Sequence, residues 1–319
     1  MLKISMKTIT FCICGTALLL AGSMAPAQAK SVKIGALMPM TGDLQAYGES
    51  CYTGVKLAIE QINEGGGVLG SELQLKLGDT QTKPQPGIDA AQKLVSVENV
   101  SAIVGALSSG VTIPVASSVT SSAGVVLMSP ASTSPVITNL EDNDFLFRSV
   151  PSDAFQGVAL AQLVEEAGYD NVATLYVNND YGEGLAVSFE KAFKDKGGTV
   201  SQSLAYEPGN ASYRGELSKA ASKGAEALNL IGYPENGITI LRQALEEGLF
   251  TKFIFSDGLK APEIIDSIGA KYLNGSSGTV PQALSDTPSA QNYLSAYKER
   301  FGQVPPKPYI DTSYDATFV

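Results

Sequence analysis

The chain has 319 residues, enough for two domains of ordinary size, and its composition is globular, with 44% hydrophobic and 17% charged residues. The formal net charge is −10, and no cluster of Lys or Arg is present to neutralise phosphates, which argues against nucleic-acid binding. The sequence contains no His, which excludes Ser-His-Asp and Cys-His catalysis and every metal site that needs a His ligand.

The first 29 residues have the pattern of a secretory signal. Lys3 and Lys7 form a positive start, an apolar run follows over 9–21, and Ala27-Gln28-Ala29 is a small-x-small cleavage site. A membrane anchor is the alternative, but a spanning helix needs about 18 apolar residues and this run is interrupted sooner. We therefore predict cleavage after Ala29 and a periplasmic location.

From Val32 onward, short apolar runs alternate with amphipathic segments. The first series of predicted strands covers 32–38, 73–77, 102–104, 125–128 and 145–148. Predicted helices lie between the first four of these strands, over 50–63, 86–98 and 112–122. Strands that alternate with helices of this length indicate βαβ units and a mostly parallel sheet.

A second series of the same kind begins after Pro151. Asp153 is the predicted cap of a helix that reaches Ala167, and the following strands are predicted over 171–177, 199–205, 227–231 and 253–255. The helices between them are predicted over 181–196, 211–223 and 235–247, and two more follow, over 288–301 and from Tyr309 onward.

These two series predict an α/β protein with two doubly wound lobes. The expected organisation is a signal peptide over 1–29, a first lobe over 30–149, a second lobe over 150–280, and a return to the first lobe over 281–319. Because the chain crosses between the lobes near residues 150 and 280, we expect a multi-strand hinge. The last predicted helix reaches the end of the sequence without a cap, which leads us to expect a truncated C-terminal part.

Small hydroxyl residues follow two neighbouring predicted strands. Ser108-Ser109-Gly110 comes after one strand, and Ser129-Pro130-Ala131-Ser132-Thr133 ends the next. Ligands of open α/β sheets bind at the carboxyl ends of the strands, and helix N-termini there favour anions. These two loops therefore predict a cradle for a small carboxylate. The alternative is that the hydroxyl groups only cap helices.

The second lobe carries tyrosines and an acid at the corresponding edge. Asp180-Tyr181, Gly232-Tyr233 and Ser256-Asp257 each follow a predicted strand. The alternative is that these are ordinary βα turns, in which Asp and Gly are common. Taken together, the loops favour an α-amino acid ligand, whose carboxylate would meet the hydroxyl groups of the first lobe and whose ammonium would meet an acid of the second.

At this point the sequence resembles a known family. It is similar to the leucine/isoleucine/valine-binding proteins of ABC transporters, the branched-chain group of the type I periplasmic binding proteins. The resemblance runs from about Val32 to Val319. The short motifs that carry it, in chain order, are Ile34-Gly35-Ala36, Tyr47-Gly48, Ile103-Val104-Gly105, Ser129-Pro130-Ala131, Phe147-Arg148, Tyr181-Gly182-Glu183-Gly184, Gly232-Tyr233 and Leu241-Arg242-Gln243-Ala244.

The resemblance implies a ligand-binding role for nine residues. Ser109, the Ala131 backbone and Thr133 would bind the ligand carboxylate, and Asp257 would bind the ammonium. Tyr181 and Tyr233 would line the site from the second lobe, and Tyr47 and Leu107 would touch the ligand side chain. The ninth, Asp153, lies near the hinge and could join the ammonium network.

The resemblance also implies a type I periplasmic-binding-protein fold and a non-enzymatic monomer. It would use no metal and no cofactor, and it would deliver a branched-chain amino acid to a membrane permease of an ABC transporter. Relatives continue for several more elements, so the first lobe is expected to lack part of its sheet. They also often carry Glu where this chain has the shorter Asp257.

Three other functions stay open at this stage. A binder of amides, urea or aromatic acids with the same fold would not need Asp257 for an ammonium. A sensory receptor of this fold would pass its ligand to a signalling partner instead of a permease. A hydrolase with an Asp or Ser at the cleft is a weaker alternative, because the sequence offers no His as a base.

Overall fold

The computed structural model describes residues 31–282 and 285–319, so the predicted signal peptide lies outside the described residues. The first sheet contains five parallel strands: β1 (Val32–Met38), β2 (Leu73–Asp79), β3 (Ala102–Gly105), β4 (Val126–Ser129) and β5 (Leu146–Arg148). Their order across the sheet is β2-β1-β3-β4-β5. The apolar run that predicted β1 is half-buried at its start and fully buried from Gly35 to Met38.

Helices follow the first strands as the alternation predicted. They are α1 (Gln45–Glu64), α2 (Pro84–Lys93) and α3 (Ser109–Val115). A π-helical turn, Leu94–Glu98, extends α2, and a second one, Ala116–Thr120, joins α3 to the short α4 (Ser121–Ala123). After β4 the chain forms a 3-10 helix, Pro135–Asn139, in place of an α-helix. The predicted start of α1 is five residues late, because the helix already begins at Gln45.

The second sheet repeats this topology. Its strands are β6 (Asn171–Val177), β7 (Thr199–Tyr206), β8 (Ala227–Ile231), β9 (Phe253–Phe255) and β10 (Ser277–Gly278), in the order β10-β9-β8-β6-β7. In both sheets the second strand lies outside the first and the next three follow on the other side. Its helices are α5 (Asp153–Glu166), α6 (Asp180–Asp195), α7 (Arg214–Ala221), α8 (Pro234–Glu246) and α9 (Pro262–Ile268).

Three local features differ from the sequence prediction. The cap of α5 is Ser152, whose hydroxyl oxygen accepts from the Ala154 amide, and Asp153 is instead the buried first residue of that helix. Helix α9 and strand β10 were not predicted, because both are short and lie between Gly-rich turns. The expectation that the first lobe lacks part of its sheet and that the chain is truncated finds no support, since the first sheet has as many strands as the second.

The chain then returns to the first sheet. Helix α10 (Pro288–Phe301) and helix α11 (Ile310–Phe318) both pack on α1, and Leu57 of α1 shares an apolar cluster with Tyr297 and Ile310. We call β1–β5 with α1–α4, α10 and α11 the first lobe, and β6–β10 with α5–α9 the second lobe. The predicted boundaries at 149/150 and 280/281 stay predictions, because by its contacts Ser31–Val319 is one compact unit.

The largest apolar cluster runs through both lobes. It contains Ala36, Tyr47 and Val104 of the first lobe together with Leu175, Leu230 and other apolar residues of the second. The two lobes are therefore in contact in this structure. No helix in the described part of the chain is both long and apolar enough to span a bilayer.

The contact between α5 and α6 predicts a sensitivity to side-chain size at Gly157. A Cβ at this position would lie 2.6 Å from the backbone carbon of Ser188, so that Gly157→Ala must push the two helices apart. We expect the substitution to lower the free energy of unfolding by about 1–3 kcal/mol, as overpacking of a core does. Urea unfolding followed by circular dichroism measures this change.

Gly215 provides the matched control, because a Cβ there would meet no atom within 4 Å and the residue lies in α7. Gly215→Ala should leave stability unchanged or raise it by about 0.5–1 kcal/mol through helix propensity. Equal stability of Gly157→Ala and the unmodified protein would contradict the close approach of α5 and α6.

Candidate functional site

A cleft lies between the carboxyl ends of the two sheets, and the atom-free space there, counted together with open solvent, is about 330 Å³. It is lined from both lobes, and seven of the nine residues predicted for the site are among its walls. The lining residues are Leu44, Tyr47, Leu107, Ser109, Ala131, Tyr181, Tyr233, Asp257, Gly258 and Tyr309. Two predicted residues, Thr133 and Asp153, are buried behind this surface and do not line it.

The hydroxyl groups of the first lobe differ in how they are used. Several are engaged inside the lobe: Ser129 Oγ donates to the Ala106 carbonyl at 2.6 Å, and Ser132 Oγ lies 2.7 Å from Thr112 Oγ1. Ser109 Oγ accepts from the Ser134 amide at 3.2 Å, which leaves its own proton available.

Thr133 is the second residue whose hydroxyl group can still donate a hydrogen bond. Its Oγ1 is buried and has no hydrogen-bond partner within the described residues. A buried hydroxyl without a partner costs free energy, so a ligand atom that accepts from it would be stabilised. Ser109 and Thr133, the two hydroxyl residues predicted to hold a carboxylate, therefore both keep a donor that is free within the described residues.

Arg148 supports this hydroxyl loop from behind. Its guanidinium donates to the carbonyl of Thr133 at 3.1 Å and to the carbonyl of Ser134 at 2.9 Å. The amides of Ser132 and Ser134 are held as well, since they donate to Ser129 Oγ and Ser109 Oγ. The positive charge at the back of the loop also favours an anion in front of it.

Asp257 is the polar centre of the second lobe's side of the cleft. Its side chain follows β9 and is only 3% exposed. Oδ1 accepts from Gln156 Nε2 and from the Tyr181 hydroxyl, both at 2.8 Å, and Oδ2 accepts from the Tyr309 hydroxyl. Burial raises the pKa of both tyrosines, and the negative charge of Asp257 raises it further, so both remain neutral donors.

Two tyrosines of the second lobe form one stacked wall. The rings of Tyr181 and Tyr233 lie 5.6 Å apart with an interplanar angle of 13°. The hydroxyl of Tyr233 lies 2.9 Å from Ser108 Oγ of the first lobe and accepts from Asn179 Nδ2 at 3.3 Å. Tyr233 thus contacts both lobes across the cleft.

Tyr47 forms the facing aromatic wall from α1. Its hydroxyl donates to the Lys260 carbonyl at 2.9 Å and lies 3.3 Å from the Asp257 carbonyl. These contacts fix the orientation of the ring, whose apolar body lines the cleft beside Leu44 and Leu107. This corner offers an apolar surface next to the polar centre.

Asp153 is the least satisfied polar group near the site. It is fully buried, and within the described residues neither of its carboxylate oxygens has a hydrogen-bond partner. Burial raises the pKa of Asp153, and the negative charge of Asp257 raises it further, whereas the nearby Thr133 hydroxyl and Arg148 guanidinium act in the opposite sense. Asp153 therefore holds its proton to higher pH than an ordinary Asp does.

Four residues at the site were not predicted from the sequence. Leu44, Gly258 and Tyr309 line the cleft, and Gln156 donates to Asp257. Gln156 stands three residues after Asp153 on the predicted helix, so helical spacing could have placed it on the same face. Tyr309 comes from the return segment, about 50 residues beyond Asp257, and no local pattern joins the two.

The buried state of Asp153 predicts a pH dependence of stability. Because the folded protein keeps this proton to higher pH than the unfolded chain, whose Asp titrates near 3.8, it binds more protons above that pH. The free energy of unfolding should then fall as pH rises, by up to about 1.4 kcal/mol per pH unit until the raised pKa is passed. Asp153→Asn should remove this dependence and be more stable than the unmodified protein at pH 7.

Thermal unfolding of the ligand-free protein between pH 4 and pH 8 measures this effect. Asp266→Asn is the control, since Asp266 is an exposed carboxylate on α9. If the stability of Asp153→Asn changes with pH in parallel with that of the unmodified protein, Asp153 is not the group whose proton causes the dependence.

Comparison with known proteins agrees with this architecture. Residues 31–319 match the family described as Periplasmic binding protein. The leucine-, isoleucine-, valine-, threonine- and alanine-binding protein of Pseudomonas aeruginosa is 30% identical over 293 residues, which cover 91% of this chain and 77% of that protein.

Solved structures show the same fold. A leucine-binding protein, LivK of Thermotoga maritima, superimposes with a TM-score of 0.81 at 30% identity and covers 90% of this chain and 81% of its own. The isoleucine complex of LivJ from Streptococcus pneumoniae gives a TM-score of 0.77 at 25% identity, with 91% and 82% covered. With two parallel five-stranded sheets around one cleft, this chain belongs to the periplasmic binding protein family, whose members are non-enzymatic components of transporters.

Proposed function

We propose that this solute-binding protein takes up a branched-chain α-amino acid, leucine, isoleucine or valine, in the cleft and delivers it to the permease of an ABC transporter. The observation that carries the proposal is the arrangement of charge across the cleft. A buried carboxylate, Asp257, lines the cleft together with Ser109, whose hydroxyl proton is free, and the unpartnered Thr133 hydroxyl lies buried behind that wall. An α-amino acid carries the complementary pair of charges on two groups that are bonded to one carbon.

The carboxylate of the ligand would lie at the hydroxyl loop. Ser109 stands at the first position of α3, where backbone amides have no partner inside the helix. Its hydroxyl proton, the Ala131 backbone and the Thr133 hydroxyl would complete the contacts. Charge-assisted hydrogen bonds of this kind are among the strongest in proteins.

The ammonium of the ligand would lie at Asp257. Asp257 Oδ1 already accepts from two neutral donors and Oδ2 from one, so Oδ2 has lone-pair capacity for one more. Asp153 would join this network, because a cation near its unpartnered oxygens favours their ionised form. Two acids near one ammonium also explain why the shorter Asp257 can serve where relatives often carry Glu.

The side chain of the ligand would lie in the apolar corner formed by Leu44, Tyr47 and Leu107. These residues present methyl groups and an aromatic face without an unpaired charge, which suits an aliphatic side chain. Names of similar proteins support this assignment, since the relatives in Pseudomonas aeruginosa and Thermotoga maritima are named for binding leucine.

Uptake and release would use a hinge between the lobes. The segments near residues 150 and 280 would allow the lobes to open, and the closed form would be the one that a permease recognises. Membership in the family implies an extracytoplasmic location. Removal of the signal peptide after Ala29 would produce a mature chain that begins at Lys30.

Aromatic acids are the second class of ligand to consider. A solute-binding protein of Rhodopseudomonas palustris, in complex with 3,4-dihydroxybenzoic acid, has a TM-score of 0.74 but only 22% identity, so it shares the fold alone. An aromatic acid has no ammonium to neutralise Asp257, which therefore favours the amino acid.

Calorimetric titration with L-leucine and with 4-methylpentanoate separates these two classes. The second compound keeps the carboxylate and the aliphatic tail but has no ammonium. We expect leucine to bind and 4-methylpentanoate to lose about 2–4 kcal/mol, because Asp257 would stay buried without its cation. The loss corresponds to a factor of about 30 to 1,000 in affinity. The chain from Lys30 onward is suitable, since Ser31–Val319 forms its own compact unit.

Asp257→Asn should weaken leucine binding by a similar factor and leave 4-methylpentanoate unchanged or improved. Asp266→Asn again provides an exposed control. Equal binding of both compounds would rule out the amino-acid assignment and favour a carboxylic acid as the ligand.

A further inference from the structure

Lys307 is an unusually buried lysine outside the lining of the cleft. It lies in the Pro-rich segment between α10 and α11, and its side chain is only 9% exposed. Lysine is seldom buried without a partner, because its ammonium must be solvated or paired. Here Nζ donates to the Ala46 carbonyl of α1 and to the Glu263 carboxylate of α9.

These two contacts belong to different lobes. Ala46 lies in the first lobe together with Lys307 itself, whereas Glu263 lies on α9, which packs against α8 of the second lobe. Every other ion pair in the described ranges joins groups of the same lobe. Lys307–Glu263 is thus the single ion pair, among residues 31–282 and 285–319, that joins the two lobes.

The pair stands next to the ligand-binding machinery without being part of it. Ala46 and Lys307 are close neighbours in sequence of Tyr47 and Tyr309, which bind the second lobe at Lys260 and Asp257. Neither Lys307 nor Glu263 lines the cleft. Loss of the pair would therefore weaken closure while every surface that meets the ligand stays in place.

We propose that Lys307 is a positioning residue that holds the second lobe against the first through Glu263, and so sets how long the ligand is retained but not which ligand is chosen. The proposal rests on the proposed function for its ligand, L-leucine, but the closure it describes is a property of the two lobes.

The degree of burial sets the expected size of the effect. Removing an exposed ion pair changes an equilibrium constant by about fivefold or less. Breaking a buried ion pair changes it by several hundredfold. Glu263 is 43% exposed and Lys307 only 9%, so this pair lies between the two cases. We expect release of L-leucine to be faster by about tenfold when either partner is neutralised.

Stopped-flow kinetics of L-leucine binding test this directly in Lys307→Met and Glu263→Gln. Both variants should show release about tenfold faster, an association rate within about twofold, and unchanged relative affinities for leucine, isoleucine and valine. The double variant should be no worse than either single variant, and Lys307→Arg should restore slow release. Lys196→Met is the matched control, because Lys196 pairs with Glu165 at 2.7 Å inside the second lobe.

A release rate unchanged in Lys307→Met, or changed equally in Lys196→Met, would overturn the proposal, as would altered selectivity. If the unmodified protein does not bind L-leucine, the proposed function fails, and the role of Lys307 is then tested by measuring the distance between the two lobes. Spin labels on Gln92→Cys and Ser222→Cys report it in the chain from Lys30, where Cys51 is buried. Longer distances in Lys307→Met than in the parent would support the proposal, and identical distributions would overturn it.

Discussion

The buried carboxylate of Asp257 is the constraint on which the rest of the site depends. A charge that is almost fully withdrawn from water is tolerated only when it is paired or hydrogen-bonded. Its three donors come from the start of α5, the start of α6 and the return segment before α11. Two of them belong to the second lobe and the third, Tyr309, to the first, so complete solvation of this acid requires both lobes to be together.

The polar groups of the cleft leave hydrogen-bond donors free in the first lobe and a carboxylate without a partner near Asp257. In the first lobe, the internal hydroxyl groups satisfy each other, and the groups that remain free are donors. Near the second lobe's acid, Asp153 adds a second carboxylate without a partner. A ligand with an anionic and a cationic group bonded to one carbon can pair with both the free donors and the carboxylates, whereas a simple acid or a simple amine pairs with only one of them.

The contacts that hold the lobes together lie partly inside the cleft and partly outside it. Tyr47 and Tyr309 join the lobes from within the cleft, and Lys307 does so from outside it. All three reach the same short stretch of the second lobe, between Asp257 and Glu263. Ligand contacts and lobe position are therefore connected through a few residues, and Tyr233 and Ser108 join the lobes at a further place.

The sequence by itself determined the layered α/β plan and most of the strands, because parallel strands buried on both faces are continuous apolar runs that need no tertiary information to be recognised. It also determined where Ser109, Tyr181 and Asp257 stand, since each directly follows such a strand. Only the tertiary structure decided that the Tyr309 hydroxyl donates to Asp257, that Asp153 is buried without a partner among the described residues, and that Lys307 pairs with Glu263 of the other lobe. These facts depend on contacts between residues far apart in the chain, and the local hydrophobic pattern does not predict which distant segments come into contact.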